Sequence, residues 1–185
     1  MTKFTEKAIL DTFDNMLARM PFKKITVSAI VAECGISSNT FYYHFNDIYN
    51  LLERWMESRL GSFINAGPGD EYWTDTTKRY LRLMKDNPDK VYNLSGSISR
   101  EMLENYCFTK SESQFRSFID GLDGIEKVTE KERDLLAGFY CYSLLGFILK
   151  FCWAKMELDI DESVDALEKF YRGLYMSLIA DNIKE

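Results

Sequence analysis

A chain of 185 residues, 46% of them apolar, holds enough material for one large or two small packed domains. Its net charge of −6 argues against a protein that coats nucleic acid indiscriminately. The charge is uneven: in residues 1–60 Lys3, Lys7, Arg19, Lys23, Lys24, Arg54 and Arg59 balance Glu6, Asp11, Asp14, Glu33, Asp47, Glu53 and Glu57, so residues 61–185 carry the whole excess.

In chain order, the apolar residues recur at helical spacing and no alternating strand pattern occurs. A first helix is expected over 5–20, with Ile9, Leu10, Phe13, Leu17 and Met20 on one face and Pro21 as its stop. Thr26 suits the N-cap of a second helix, whose face is Val27, Ile30, Val31 and Cys34, and Gly35 suits its left-handed end. Ile36 plugs the corner. Ser37 or Ser38 caps a third helix running to His44, with Phe41 and Phe45 turned inward. Asn46 and Asp47 precede a fourth, 48–60, with the stripe Ile48, Leu51, Leu52 and Trp55. Gly and Pro at 61–70 mark a junction between a domain over 1–60 and a second over 71–185. Further helices are expected at 71–85, 89–95, 97–107, 111–120, 129–158 (Thr129 and Glu132 have capping-box spacing) and 162–179, the last capped by Asp161. The fold class is therefore all-α.

Residues 25–47 carry the chemistry. Two short helices joined by a tight turn form a helix-turn-helix, in which the start of the second helix points at base edges. Ser37, Ser38, Asn39 and Thr40 sit there; Asn39 has the donor and acceptor that match adenine, and Thr40 has a methyl for thymine. Capping alone would also account for Ser38 and Asn39. Thr26 can reach a phosphate from the start of the second helix, Lys23 and Lys24 can form a local basic patch, and the helix start near Asp47 offers backbone N–H groups to a phosphate.

The four cysteines, Cys34, Cys107, Cys141 and Cys152, form no C-x-x-C and read as reduced thiols of a cytoplasmic protein. His44 is the only histidine and has no carboxylate or thiol at ligand spacing, so no catalytic group, metal or cofactor is expected. The run 135–149 is shorter than the roughly 20 residues of a membrane span, so no membrane partner is expected.

Residues 4–60 resemble the DNA-binding domain of the TetR/AcrR family of bacterial transcriptional regulators. The match lies in Thr26-Val27, Ile30, Gly35-Ile36-Ser37, Phe41-Tyr42-Tyr43-His44-Phe45 and Leu51. Cys34 stands where the family pattern has alanine, and Ile48 where it has a lysine that commonly contacts a phosphate. The resemblance implies phosphate or sugar contacts from Tyr42, Tyr43 and His44; for Tyr43, packing on the first helix is the alternative. It also implies a homodimer on a palindromic operator in double-stranded DNA, and a repressor controlled by a small-molecule effector.

The second domain is read on that basis. The segment 135–153 is apolar almost all round, too much for a helix packed on one side. With the last helix it can pair with a second copy as a four-helix bundle, through Phe139, Tyr142, Gly146, Leu149, Trp153, Leu167, Phe170 and Leu174. An effector pocket is expected among Tyr80, Arg100, Glu101, Glu104, Phe115, Tyr142 and Phe147. The competing expectation is a helical adaptor that acts through a protein partner.

Overall fold

The computed structural model describes residues 2–64 and 73–183, and among them every regular element is helical. The expected junction residues 65–70 lie outside this set. The chain forms two compact units, one of residues 1–61 and 87–103, the other of residues 62–86 and 104–185.

The first unit is built on helix α1 (Thr2–Leu17), α2 (Val27–Cys34), α3 (Ser38–His44), α4 (Ile48–Ile64) and α6 (Pro88–Ser95). Ile9, Phe13, Met16 and Leu17 make the buried stripe of α1. Leu10 and Met20, expected there, are only half-buried, and α1 ends before Pro21 is reached. A 3-10 turn, Phe22–Lys24, drops Phe22 into the core, where Phe13 meets Phe22 and Trp55 edge-on at 6.0 and 5.9 Å. Phe41, Phe45, Ile30, Leu51, Leu52 and Met56 complete the core. Each such side chain contributes about 1.5–3 kcal/mol by leaving water.

Helix α6 was expected in the second domain but packs on α1. It buries no side chain fully and is held by polar contacts. Asn93 Nδ2 donates to the carbonyl of Leu17 at 2.9 Å, satisfying an acceptor left open at the end of α1. Lys90 Nζ reaches Asp14 at 2.7 Å, and Trp55 Nε1 donates to the same carboxylate at 3.1 Å. One carboxylate thus ties α1 to both α4 and α6.

The second unit contains α5 (Trp73–Asp86), α8 (Glu130–Trp153), α9 (Ile160–Ile183) and most of α7 (Arg100–Asp120). The two helices expected at 97–107 and 111–120 are one, because no breaker separates them. Helix α5 turns Trp73, Thr77, Leu81 and Met84 inward and packs on α9. Across that contact Lys78 Nζ pairs with Asp165 at 2.6 Å and Arg82 Nη2 with Asp161 at 2.7 Å. Asp161 is therefore an ion-pair partner and not the expected cap; Asp159 caps α9, accepting from Glu162 N at 2.8 Å. The Arg82 guanidinium holds the Asp161 carboxyl below its usual range.

The capping box at Thr129 forms as the spacing predicts. Trp73, Phe115, Ile119, Ile125, Val128, Leu136, Ala137, Tyr140, Cys141 and Tyr171 make the core. Within it Tyr140 donates to the backbone carbonyl of Tyr171 at 2.5 Å, and the Tyr171 hydroxyl lies 2.9 Å from Ser143 Oγ. These bonds fix the register of α8 against α9, and burial pushes both phenols up, Tyr171 to about 12.

Helix α8 is longer than the apolar run 135–149. Its 24 residues make it long and apolar enough to cross a membrane by length and composition alone, and only 33% of its apolar window is buried. It ends at Trp153, earlier than 158, in a turn where Lys155 and Met156 both take positive φ.

Candidate nucleic-acid interface

The helix-turn-helix is set by local caps. Thr26 Oγ1 accepts from Ala29 N at 3.2 Å and starts α2; its own hydrogen is not used by that bond, so the hydroxyl can still donate to a phosphate. Gly35, at φ +69°, ends α2 in the left-handed region that a β-carbon disfavours. Ser37 Oγ accepts from Thr40 N at 3.1 Å and lies 2.8 Å from Thr40 Oγ1.

Ser37 is thus the N-cap of α3 and is exposed, while Thr40, half-buried, lies against it. Ser38 and Asn39 carry no capping load and are exposed. Tyr42 and Tyr43 follow one turn later on the same exposed face. Phe41 lies fully buried opposite them. Tyr43 is 72% exposed, which removes the alternative in which it packs on α1. His44 is half-buried, its ring edge-on to Tyr43 at 5.1 Å.

Lys23 and Lys24 are exposed on the 3-10 turn. Asp47 does not fit its expected place. Its Oδ1 accepts from Tyr49 N at 2.9 Å and Asn50 N at 2.8 Å, so two N–H groups at the start of α4 are already taken, and a phosphate there would face a carboxylate. Tyr49, absent from the expected set, is exposed and meets Phe22 edge-on at 5.8 Å. Its signal in the sequence is an aromatic at the second position of a helix whose apolar stripe uses its neighbours Ile48 and Leu51.

A small-residue turn, a capped reading helix with an exposed polar face, and two lysines on an adjacent turn are the parts a duplex-reading unit needs. Residues 9–54 match bacterial regulatory proteins of the tetR family, and residues 71–173, more than half of the chain, match the transcriptional regulator C-terminal region. The chain belongs to the TetR family. It is a transcriptional regulator with a DNA-binding helix-turn-helix, and not an enzyme.

Solved structures agree at the level of the fold. A transcriptional regulator from Aquifex aeolicus VF5 superposes with a TM-score of 0.55 at 16% identity, covering 92% of this chain and 99% of its own. The dihydroxyacetone kinase operon activator DhaS gives 0.50 at 20% identity, covering 97% and 96%. A search of curated proteins finds no match.

In this TetR-family chain four of the expected effector residues, Arg100, Glu101, Glu104 and Phe115, lie along helix α7. Arg100 and Glu101 fall in the first unit; Tyr80, Glu104, Phe115, Tyr142 and Phe147 fall in the second. Phe115 is a core residue, whereas Tyr142 is exposed, its ring 4.0 Å from that of Phe108. Glu101 is exposed and Tyr80, Glu104 and Phe147 are half-buried; the Arg100 side chain lies outside the described residues. A depression of about 370 Å³ in the second unit, lined by Arg82, Lys85, Glu157, Leu158, Asp159, Ile160 and Asp161, involves none of them, and three of its five charged side chains, Arg82, Asp159 and Asp161, already have partners.

The expected interface residues, by contrast, stay at the surface. Phe139, Tyr142, Gly146, Trp153, Phe170 and Leu174 are exposed; Leu149 and Leu167 are half-buried. Among the described residues, no cluster of three or more His, Cys, Asp or Glu side chains is placed to hold a metal ion. Cys34 and Cys152 are half-buried free thiols, and burial pushes that of Cys152 up.

Proposed function

We propose that the protein is a homodimeric, sequence-specific repressor that binds a palindromic operator and is released by a small-molecule effector held in its second unit. The observation that carries dimerisation is the outer face of α8. Leu135, Phe139, Tyr142, Gly146, Leu149 and Trp153 recur there at steps of four and three, the seam spacing of paired helices. Trp153 is 75% and Phe170 68% exposed within one chain. A β-carbon built at Gly146 or Gly173 meets nothing within 4 Å, so both positions leave room for a close helix.

Two copies joined through such a face present two α3 helices, and half-sites about one duplex turn apart answer that symmetry. Ser38 and Asn39 are the base readers in this account. Tyr42, Tyr43, Thr26, Lys23 and Lys24 grip the backbone, and His44 supports them. A dimer seated on a promoter excludes other proteins from the same stretch, which is repression in its simplest form. The sign is not carried over from the fold, since DhaS is an operon activator.

A mobility-shift assay with DNA from the protein's own promoter region tests binding. A specific complex that disappears when co-purified small molecules, identified by mass spectrometry, are added back supports the full reading. A stable complex with a second protein and none with DNA supports the adaptor instead.

A further inference from the structure

We propose that Tyr49 is a DNA-backbone anchor, its phenol hydroxyl donating to a phosphate at the place where Ile48 cannot. The proposal rests on the DNA-binding role of the first unit. Ile48 opens α4, where the family pattern carries a lysine, and an aliphatic side chain offers no donor. The backbone does not replace it, because Asp47 Oδ1 already accepts from the N–H groups of Tyr49 and Asn50. The Asp47 carboxylate also sets a negative charge against any phosphate at that helix end.

Tyr49 escapes both obstacles. It is 56% exposed, while its ring rests edge-on against Phe22, which is 4% exposed. The ring is thus positioned by packing while more than half of the residue stays exposed. As the second residue of α4 it leans back toward the helix start, because every Cα–Cβ bond of a helix tilts that way. That start adjoins the end of α3. Phe22 begins the 3-10 turn that carries exposed Lys23 and Lys24, and Thr26 with its spare hydroxyl hydrogen follows two residues later. Through Phe22, Tyr49 is held against the turn that carries the two lysines and leads to Thr26. A neutral phenol donates to a phosphate oxygen without drawing a strong attraction or repulsion from Asp47.

The test uses the full-length protein and fluorescence anisotropy across a salt series, with two labelled probes: a duplex enriched by the wild type from a random pool, and a scrambled duplex of equal length. Tyr49→Phe keeps the ring on Phe22 and removes only the hydroxyl. It is expected to leave the melting temperature unchanged and to weaken both probes about 25-fold, one neutral hydrogen bond of about fivefold from each of two subunits. The salt slope should stay the same, since no charge is lost. Ile48→Lys added to Tyr49→Phe is expected to restore affinity and steepen the slope by about 1.8, one cation from each subunit. Wild-type affinity of Tyr49→Phe for both probes overturns the proposal, and so does a loss confined to the enriched duplex, which would make Tyr49 a base reader. Failure of the wild type to bind any duplex refutes the DNA-binding role itself and is seen before any variant is made.

Discussion

The two units leave different aromatic surfaces uncovered. Among the described residues, and apart from Phe4, the large hydrophobic side chains exposed by the first unit are tyrosines: Tyr42, Tyr43, Tyr49 and Tyr92. Those exposed by the second are mostly without a polar atom to place: Leu83, Leu135, Phe139, Phe170, Leu174 and Met176, with Trp153 and Tyr142 beside them. A phenol suits a wet interface, where its ring packs and its hydroxyl bonds a phosphate. A row of Leu, Phe and Met suits a dry one. The first unit thus presents phenols around its helix-turn-helix, and the second leaves uncovered the apolar face on which the proposed second copy packs.

The largest expected effect breaks the dry face. Phe139→Glu combined with Phe170→Glu puts charge where α8 and α9 are to meet a second copy. The variant should sediment as a monomer with unchanged helix content, and its operator affinity should fall about a hundredfold or more, as linked half-sites become independent. A variant that remains dimeric would place the interface elsewhere.

A middle-sized effect separates roles within the wet face. Asn39→Ala should relax preference at one base pair by about 1–3 kcal/mol and leave scrambled DNA unaffected. Lys24→Ala should weaken every sequence alike and reduce the salt slope by about one. Binding curves for the two variants that shift together on both kinds of duplex would remove the division between readers and grips.

The smallest effect probes the interior of the second unit. Tyr140→Phe deletes the bond to the Tyr171 carbonyl and should cost about 1 kcal/mol in urea melts. Both phenols ionise above their ordinary value in the fold, Tyr171 near 12, because burial favours the neutral form. Between about pH 10 and those values the folded chain holds more protons than the unfolded one. Their stabilisation is therefore complete below about pH 10 and is lost as pH rises through the folded values. Tyr140→Phe should flatten part of that alkaline loss; an identical alkaline profile would count against it.

The helix-turn-helix was legible because its signals are local. Thr26, Gly35 and Ser37 each act within a few residues, and Phe41 and Phe45 declare the inner face by spacing alone. The outward row on α8 was legible for the same reason, as an excess of apolar residues over what one side can bury. What escaped depends on distant partners. Nothing near Asn93 announces that its amide will close the Leu17 carbonyl and so place α6 with the first unit. Asp161 stands where a cap is expected, yet Arg82 and Lys78, far off in sequence, claim its carboxylate. Asp47 shows the converse error: a helix start inviting to an anion in sequence is closed by its own side chain. Of the expected effector residues only Phe115 is core, because aromatic content alone does not separate core from pocket.

The most direct measurement is the mass of the complex formed with duplexes that the protein itself enriches from a random pool, read together with their sequence. Inverted repeats with half-sites about one turn apart, carrying two chains per site, are the predicted result. Asymmetric sites occupied by a single chain, or no enrichment at all, would contradict a paired set of α3 helices.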